Sequence, residues 1–209
     1  MKVIFTGLII FSLSTVWAQQ TKSICQTVGV TGGASVLEYS VKGYFEPYLA
    51  WGTSKKQIIM APTVLVGSNL GYQSPQSPRL TGAKLGYRFW PGSLDNKWNF
   101  YLSIDMRLQR LKDIWDGNFY SETLSGYQTI HIKSLEYSLE NYFGYGLVYK
   151  ISKAVQISQG VGLGWYLSDL DTKATNANAQ IADIADYRGY DNAGFLWNLS
   201  LGVSYSLHK

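Results

Sequence analysis

Along most of the chain, hydrophobic side chains recur at every second position. In residues 35–51, "SVLEYSVKGYFEPYLAW", the odd positions hold Leu37, Tyr39, Val41, Phe45, Pro47, Leu49 and Trp51, and the even ones include Glu38, Ser40, Lys42 and Glu46. A strand sends successive side chains to opposite faces, so this segment predicts a strand with one greasy and one polar face. The same split recurs in 81–90, 98–110, 140–151, 155–167 and 193–207. In 98–110 Trp98, Phe100, Leu102, Ile104, Met106 and Leu108 stand opposite Asn99, Ser103, Asp105, Arg107 and Gln109. In 140–151 Phe143, Tyr145, Leu147 and Tyr149 stand opposite Gly144, Gly146 and Val148. Residues 57–67 are apolar on both faces and contain Pro62, and still read as a strand. Long stretches with a helical period of 3.6 are missing.

Short connections, "GTSKK" (52–56), "PGSLDNK" (91–97) and "SKA" (152–154), alternate with longer ones at 68–79, 113–128 and 169–192. That alternation requires one more strand before residue 35, and "SICQTVGV" (23–30), followed by a "TGG" turn, is the candidate. The total is eight antiparallel strands, and the expected fold class is all-β, an up-and-down barrel.

Two closed barrels fit such strands, and each is the other turned inside out. A secreted lipocalin-like barrel would keep the aromatics inside around a lipid ligand. A transmembrane barrel would set them against acyl chains. Glycine and serine crowd the polar face here, and a solvent-exposed strand gains nothing from glycine. The interior of an eight-stranded barrel is only just wide enough for side chains and needs small ones. Aromatics also gather at strand ends: Trp51, Phe89, Trp90, Trp98, Tyr149 and Tyr205 toward the short turns, and Trp165, Phe195 and Trp197 toward the long loops. Two such girdles mark the two interfaces of a bilayer. The membrane reading is therefore preferred.

Composition agrees. The 209 residues are 15% aromatic and only 15% charged, well below the ~25% charge usual in soluble domains. The start, "MKVIFTGLIIFSLSTVWAQQ", has Lys2, an apolar stretch from Val3 to Val16, and small residues at Val16 and Ala18. It reads as a signal peptide over 1–18, because the apolar stretch is shorter than the ~20 residues of a membrane-spanning helix. Residues 19–209 then form one barrel domain. The net charge of +4 is mild and no basic run exceeds two residues, which argues against nucleic acid. Cys25 is the only cysteine, so no internal disulfide forms.

The inward face carries charge in mid-strand: Glu38, Lys42, Glu46, Lys84, Arg88, Asp105, Arg107, Glu136 and Glu140. Such residues either line an ion path or pair with one another and plug the lumen. Buried charges must be paired, and the bore is narrow, so the plug is expected. "GYGLVY" and "GVGLGW" resemble phosphate-binding glycine loops only superficially, because they lie in mid-strand and not between a strand and a helix. The acids of the last long loop match no calcium-loop spacing. No cofactor, metal site or catalytic constellation is expected.

With these features in place, the mature chain resembles small bacterial outer-membrane β-barrels of the OmpA/OmpX-like type. The sharpest element is the last strand, "SLGVSYSL". Ser200, Gly202, Tyr205 and Leu207 match the pattern by which the barrel-assembly machinery recognises its substrates, although many members have an aromatic where Leu207 stands. The resemblance implies a Gram-negative outer membrane, periplasmic short turns, extracellular long loops, and contact with outer-membrane lipids including lipopolysaccharide. It also brings in lipid A-modifying barrels, which use a Ser and a His on the outer wall. The one candidate pair is His131 with Ser134, with Glu136 nearby; three residues apart, the two fall on opposite faces unless a bulge intervenes between Ile132 and Leu135. A non-enzymatic structural or surface-interaction barrel is thus the first expectation, with a protein partner at the cell surface. A narrow channel, a lipid A-modifying enzyme and a secreted lipid-binding barrel follow in that order.

Overall fold

The computed structural model describes residues 25–37, 40–68, 78–92, 96–121, 126–174 and 192–207. Eight strands follow one another: β1 (Cys25–Leu37), β2 (Ser40–Gly52), β3 (Lys56–Ser68), β4 (Arg79–Phe89), β5 (Trp98–Ser121), β6 (Gly126–Lys150), β7 (Val155–Ala174) and β8 (Asn192–Ser206). Each pairs antiparallel with its neighbour, and β8 closes on β1, with Val28 opposite Tyr205 and Ser35 opposite Asn198. The sheet is a closed barrel without a free edge across its wall. The signal segment at 1–18, Glu38 and the acids at 183, 186 and 191 lie outside the described residues.

Alternation sorts the side chains into two populations. Outside stand Val41, Phe45, Leu49, Phe100, Leu102, Ile104, Phe143, Tyr145, Leu147, Leu163, Leu199 and Leu201, all exposed. Inside, Glu46, Thr63, Arg107, Glu140 and Asn198 are buried together with three small apolar clusters. One, at the long-loop end, joins Leu37, Tyr142, Tyr166 and Leu196; another joins Tyr48, Ala50, Ile59 and Ala61; the third, at the short-turn end, joins Trp90, Tyr101 and Val148. A polar inside and apolar outside invert the arrangement of a soluble barrel.

Three sequence expectations are corrected. The segment 35–51 is not one strand. The chain reverses between Leu37 and Ser40, so Ser35–Leu37 end β1 and inward-facing positions change from odd in β1 to even in β2. Leu37 accordingly lies buried inside the barrel instead of on its outer face. Gly32 and Gly33, read as a turn, continue β1 opposite Phe45 and Tyr44. Finally, 113–128 is not a long loop: β5 runs to Ser121 and β6 begins at Gly126. The register through 132–135 is unbroken, so no bulge separates His131 from Ser134.

The glycine pair in β1 has a reason that only the register discloses. Five lumen tyrosines each sit directly across from a glycine on the next strand: Tyr44 opposite Gly33, Tyr48 opposite Gly29, Tyr101 opposite Gly146, Tyr142 opposite Gly164 and Tyr166 opposite Gly194. A Cβ on Gly146 or Gly29 would run into the ring of its tyrosine. Each ring lies over the bare backbone of its neighbour, so bulk and gap fill the narrow bore together. Departures from the even ladder are confined to β2–β4. Val66 and Thr81 are extra residues at two bulges, and Pro47 and Pro62 stand where the β2–β3 ladder is interrupted. Neither proline can donate to the ladder.

Candidate functional site in the barrel lumen

Arg107 is the centre of the lumen. It is wholly buried, and its Nε donates to Glu46 Oε1 at 2.8 Å while Nη1 donates to Glu140 Oε2 at 2.6 Å. Nη1 also reaches Ser35 Oγ at 2.8 Å and Nη2 reaches Tyr142 Oη at 3.2 Å. The Tyr44 ring lies against the guanidinium, 3.9 Å from Cζ to its centroid. Glu46 bridges outward through its second oxygen, which accepts from Lys84 Nζ at 3.2 Å, and Thr63 donates to its first at 3.1 Å. Lys84 also lies 3.6 Å from Asp105. Ser35 donates to Glu140, Asn198 Nδ2 donates to Ser35, and the Tyr44 hydroxyl donates to Asn198 Oδ1.

The cross-strand register explains why these side chains meet. Arg107 on β5 stands directly opposite Lys84 on β4 and Glu140 on β6. Two cations side by side repel, and Glu46 relieves this by accepting from both across the bore. Gly86 stands opposite Asp105, and a Cβ there would strike the Asp105 carboxylate, so the glycine opens the space in which that group lies. Strands β1 to β6 and β8 each contribute a polar group to this layer: Ser35, Glu46, Thr63, Lys84, Arg107, Glu140 and Asn198.

The structure thus brings Glu46, Lys84, Asp105, Arg107 and Glu140 into one network. Lys42 and Glu136 form a separate pair at 3.0 Å nearer the long-loop end. Arg88 stands apart toward the short turns, between the rings of Tyr48 and Tyr101, and Glu38 lies outside the described residues. Sequence reasoning missed Ser35, Tyr44, Thr63, Tyr142 and Asn198. The tyrosines were the legible part: each falls at an inward parity and each faces a glycine once the register is known.

Of the aromatics assigned to the interfaces, Trp98, Trp165, Trp197 and Tyr205 are exposed on the outer wall, and Trp51 and Tyr149 are half-buried there. Trp98 and Tyr149 pack with centroids 4.7 Å apart. Trp90 is a correction. It lies just past the end of β4 but keeps the even, inward parity of Lys84, Gly86 and Arg88, and it is buried inside the barrel against Tyr101, 5.8 Å between centroids. In the last strand Tyr205 and Leu207 are exposed, whereas Gly202 is inward, where a Cβ would press on Ser158 Oγ and Thr31 Oγ1. The backbones of His131 and Ser134 lie in β6 opposite Asp116 and Asp113; their side chains lie outside the described set.

At the long-loop end the wall is stepped. β4 pairs with β5 only as far as Gln109, and β8 with β7 only as far as Ser168, whereas β7 follows β6 to Ala174 and β5 and β6 continue alone from there to Ser121 and Gly126. A cavity of about 720 Å³ lies at the step, lined by Ala83, Leu108, Leu139, Leu167, Ala193 and others.

The fold of this closed antiparallel barrel has counterparts among solved structures. A major outer membrane protein from Thermus thermophilus is similar over 89% of this chain and 100% of its own, at 7% identity and a TM-score of 0.51. The fold is that of an outer-membrane β-barrel. Weaker likenesses are the N-terminal β-barrel domain of Pseudomonas aeruginosa OprF (11% identity, 87% of this chain and 97% of that one, TM-score 0.43) and the outer membrane protease OmpT from Escherichia coli (10% identity, 88% and 95%, TM-score 0.43). No family model and no curated relative matches the sequence. At these identities the likeness concerns the barrel fold and carries no activity with it.

Proposed function

We propose that the protein is a non-enzymatic barrel of the Gram-negative outer membrane, with a lumen closed by its own side chains, that works through the sheet it projects above the membrane. The observation that carries this reading is the Arg107 network: Glu46, Lys84, Asp105 and Glu140 each lie within ion-pair distance of an opposite charge in the same buried layer. The apolar outer wall supports residence in lipid, where every backbone group must be satisfied within a closed sheet. In this reading residues 1–18 direct export, and the last strand, with Ser200, Gly202, Tyr205 and Leu207, is handed to the barrel-assembly machinery. The short turns are periplasmic. The wall contacts outer-leaflet lipids including lipopolysaccharide, and the β5–β6 ribbon meets a protein partner by strand addition or by its faces.

Cell fractionation with a heat-dependent gel shift tests the location: the protein is expected in the outer membrane and migrates faster unheated than boiled. Recovery wholly in the soluble periplasm would refute it. Mass spectrometry of lipid A from expressing cells tests the absence of an enzyme; an altered lipid A mass that vanishes in His131→Ala would install a lipid-modifying activity in its place.

A further inference from the structure

Below the ion network, inside the barrel at its short-turn end, lies a second cavity of about 100 Å³. Among its described lining residues the charged ones are Arg88 and Lys150 and none is a carboxylate; the remainder includes Asn99, Gln57, Ser158 and Ser204. Arg88 is buried, its guanidinium held between the rings of Tyr48 at 5.3 Å and Tyr101 at 4.8 Å and hydrogen-bonded to the Tyr48 hydroxyl. A guanidinium has five N–H donors, and among the described residues no carboxylate lies within ion-pair distance of this one. The field of Asp105 reaches it from the layer above, but that carboxylate already faces Lys84. Asn99 supplies a second, opposite requirement. Its Nδ2 donates to the Asn96 carbonyl at 2.9 Å, and its Oδ1 is buried with no donor against it among the described residues.

The cavity therefore presents the buried Arg88 guanidinium, with Lys150 at its rim, several hydroxyl and amide groups, and one acceptor in need of a proton. The geometry points to a binding pocket for a small oxyanion that carries a proton of its own, hydrogen phosphate in particular, admitted from the short-turn side. Its oxygens accept from Arg88, Lys150 and the serine hydroxyls, and its P–OH donates to Asn99 Oδ1. The two tyrosine faces keep Arg88 in place and lower the dielectric around it, which strengthens the attraction. Sulfate has a similar shape but no proton at neutral pH, and it leaves Asn99 Oδ1 unmatched. The pocket is independent of the surface role proposed above.

The test is a titration of the full mature barrel, refolded in zwitterionic micelles, with sodium phosphate at neutral pH and constant ionic strength. The reporter is the indole N–H resonance of Trp90, which lines the cavity and is assigned by its loss in Trp90→Phe. A saturable shift is expected, weaker for sulfate than for phosphate. Losing a hydrogen bond to a charged group weakens binding roughly tenfold or more, and Arg88→Gln should do so. Lys150→Gln, at the half-exposed rim, should also weaken binding and keeps the test decisive if Arg88→Gln does not fold, as judged by the heat-dependent gel shift. A shift that does not saturate, or one unchanged in Lys150→Gln, would overturn the site. Equal affinities for sulfate and phosphate would overturn the role given to Asn99.

Discussion

Arg107 touches Glu46, Glu140, Ser35, Tyr44 and Tyr142 at once, and none of these contacts is shared with solvent. A buried carboxylate that loses its cation keeps its desolvation penalty without compensation. Arg107→Met should therefore lower stability by about 3–5 kcal/mol, read from urea unfolding of the barrel in lipid vesicles. A change typical of a surface pair, below about 1 kcal/mol, would mean the network is wetter than its burial indicates. The Gly–Tyr pairs make a sharper residue-scale test because two of them differ in what surrounds the glycine. The atoms nearest a Cβ at Gly146 all belong to the Tyr101 side chain, whereas at Gly164 it would meet the backbone of Asn141 and Tyr142. Gly146→Ala should cost about 1–3 kcal/mol as overpacking and be largely relieved in the double variant with Tyr101→Ala. Gly164→Ala should cost at least as much, with no relief from Tyr142→Ala, because trimming that ring leaves the backbone clash in place. Double-mutant cycles from urea midpoints check both. In the sequence, Gly144 and Gly146 were legible as lumen-facing. Their partners, Ser103 and Tyr101, were not, because a cross-strand neighbour depends on register and the register depends on where each turn closes.

Single strands were read well where the outer face is continuously apolar, as in β5, β7 and β8, because lipid demands a hydrophobic residue at every second position. Reading failed at β1 and at the start of β2, for a definite reason. Ser35–Leu37 and Val41–Trp51 share one odd-position rhythm only because the reversal between Leu37 and Ser40 preserves it while exchanging inside for outside. Glycines that serve tyrosines then looked like a turn. The far half of β5 and the near half of β6 were taken for loop because their alternation fades once the strands leave the wall. From Arg110 to Ser121, β5 extends roughly 40 Å at ~3.3 Å per residue beyond its last pairing with β4. Replacing residues 113–130 by a short glycine–serine turn should leave the wall paired and the gel shift intact while removing any surface partner captured by the full chain; loss of the folded band would show that the ribbon is part of the barrel's stability. Depth along a strand has its own signature. Ile104 lies mid-wall on β5, level with Phe143, whereas Trp98 lies at the strand's end. Ile104→Arg should cost about 2–4 kcal/mol and Trp98→Arg about 0–1 kcal/mol in vesicle-based unfolding, the dependence expected of a lipid-facing wall. Equal costs would contradict an outer face in lipid.

At the scale of the molecule, one physical condition produced most of what could be read in advance. Eight strands enclose too little space for water and side chains together, so inward positions had to be small, paired or stacked. That predicted the barrel, its closure and the inward parity of Glu46, Lys84, Asp105, Arg107 and Glu140. It did not show that Ser35, Thr63 and Asn198 complete the layer, because neutral polar residues are common at inward positions and only closure of β8 on β1 brings Ser35 beside Asn198. Trp90 was legible by parity, since it continues the even inward positions of Lys84, Gly86 and Arg88, and was assigned to an interface because tryptophan is typical there. Closure of the bore by the Arg107 layer is the claim on which the functional reading depends, and single-molecule conductance across a planar bilayer tests it most directly. The wild-type barrel should show no stable unit conductance, and Arg107→Ala, removing the side chain that joins Glu46 to Glu140, should produce one. A steady ohmic conductance in the wild type that disappears in Asp105→Ala or Arg107→Ala would contradict the sealed lumen and make the same charges an ion path.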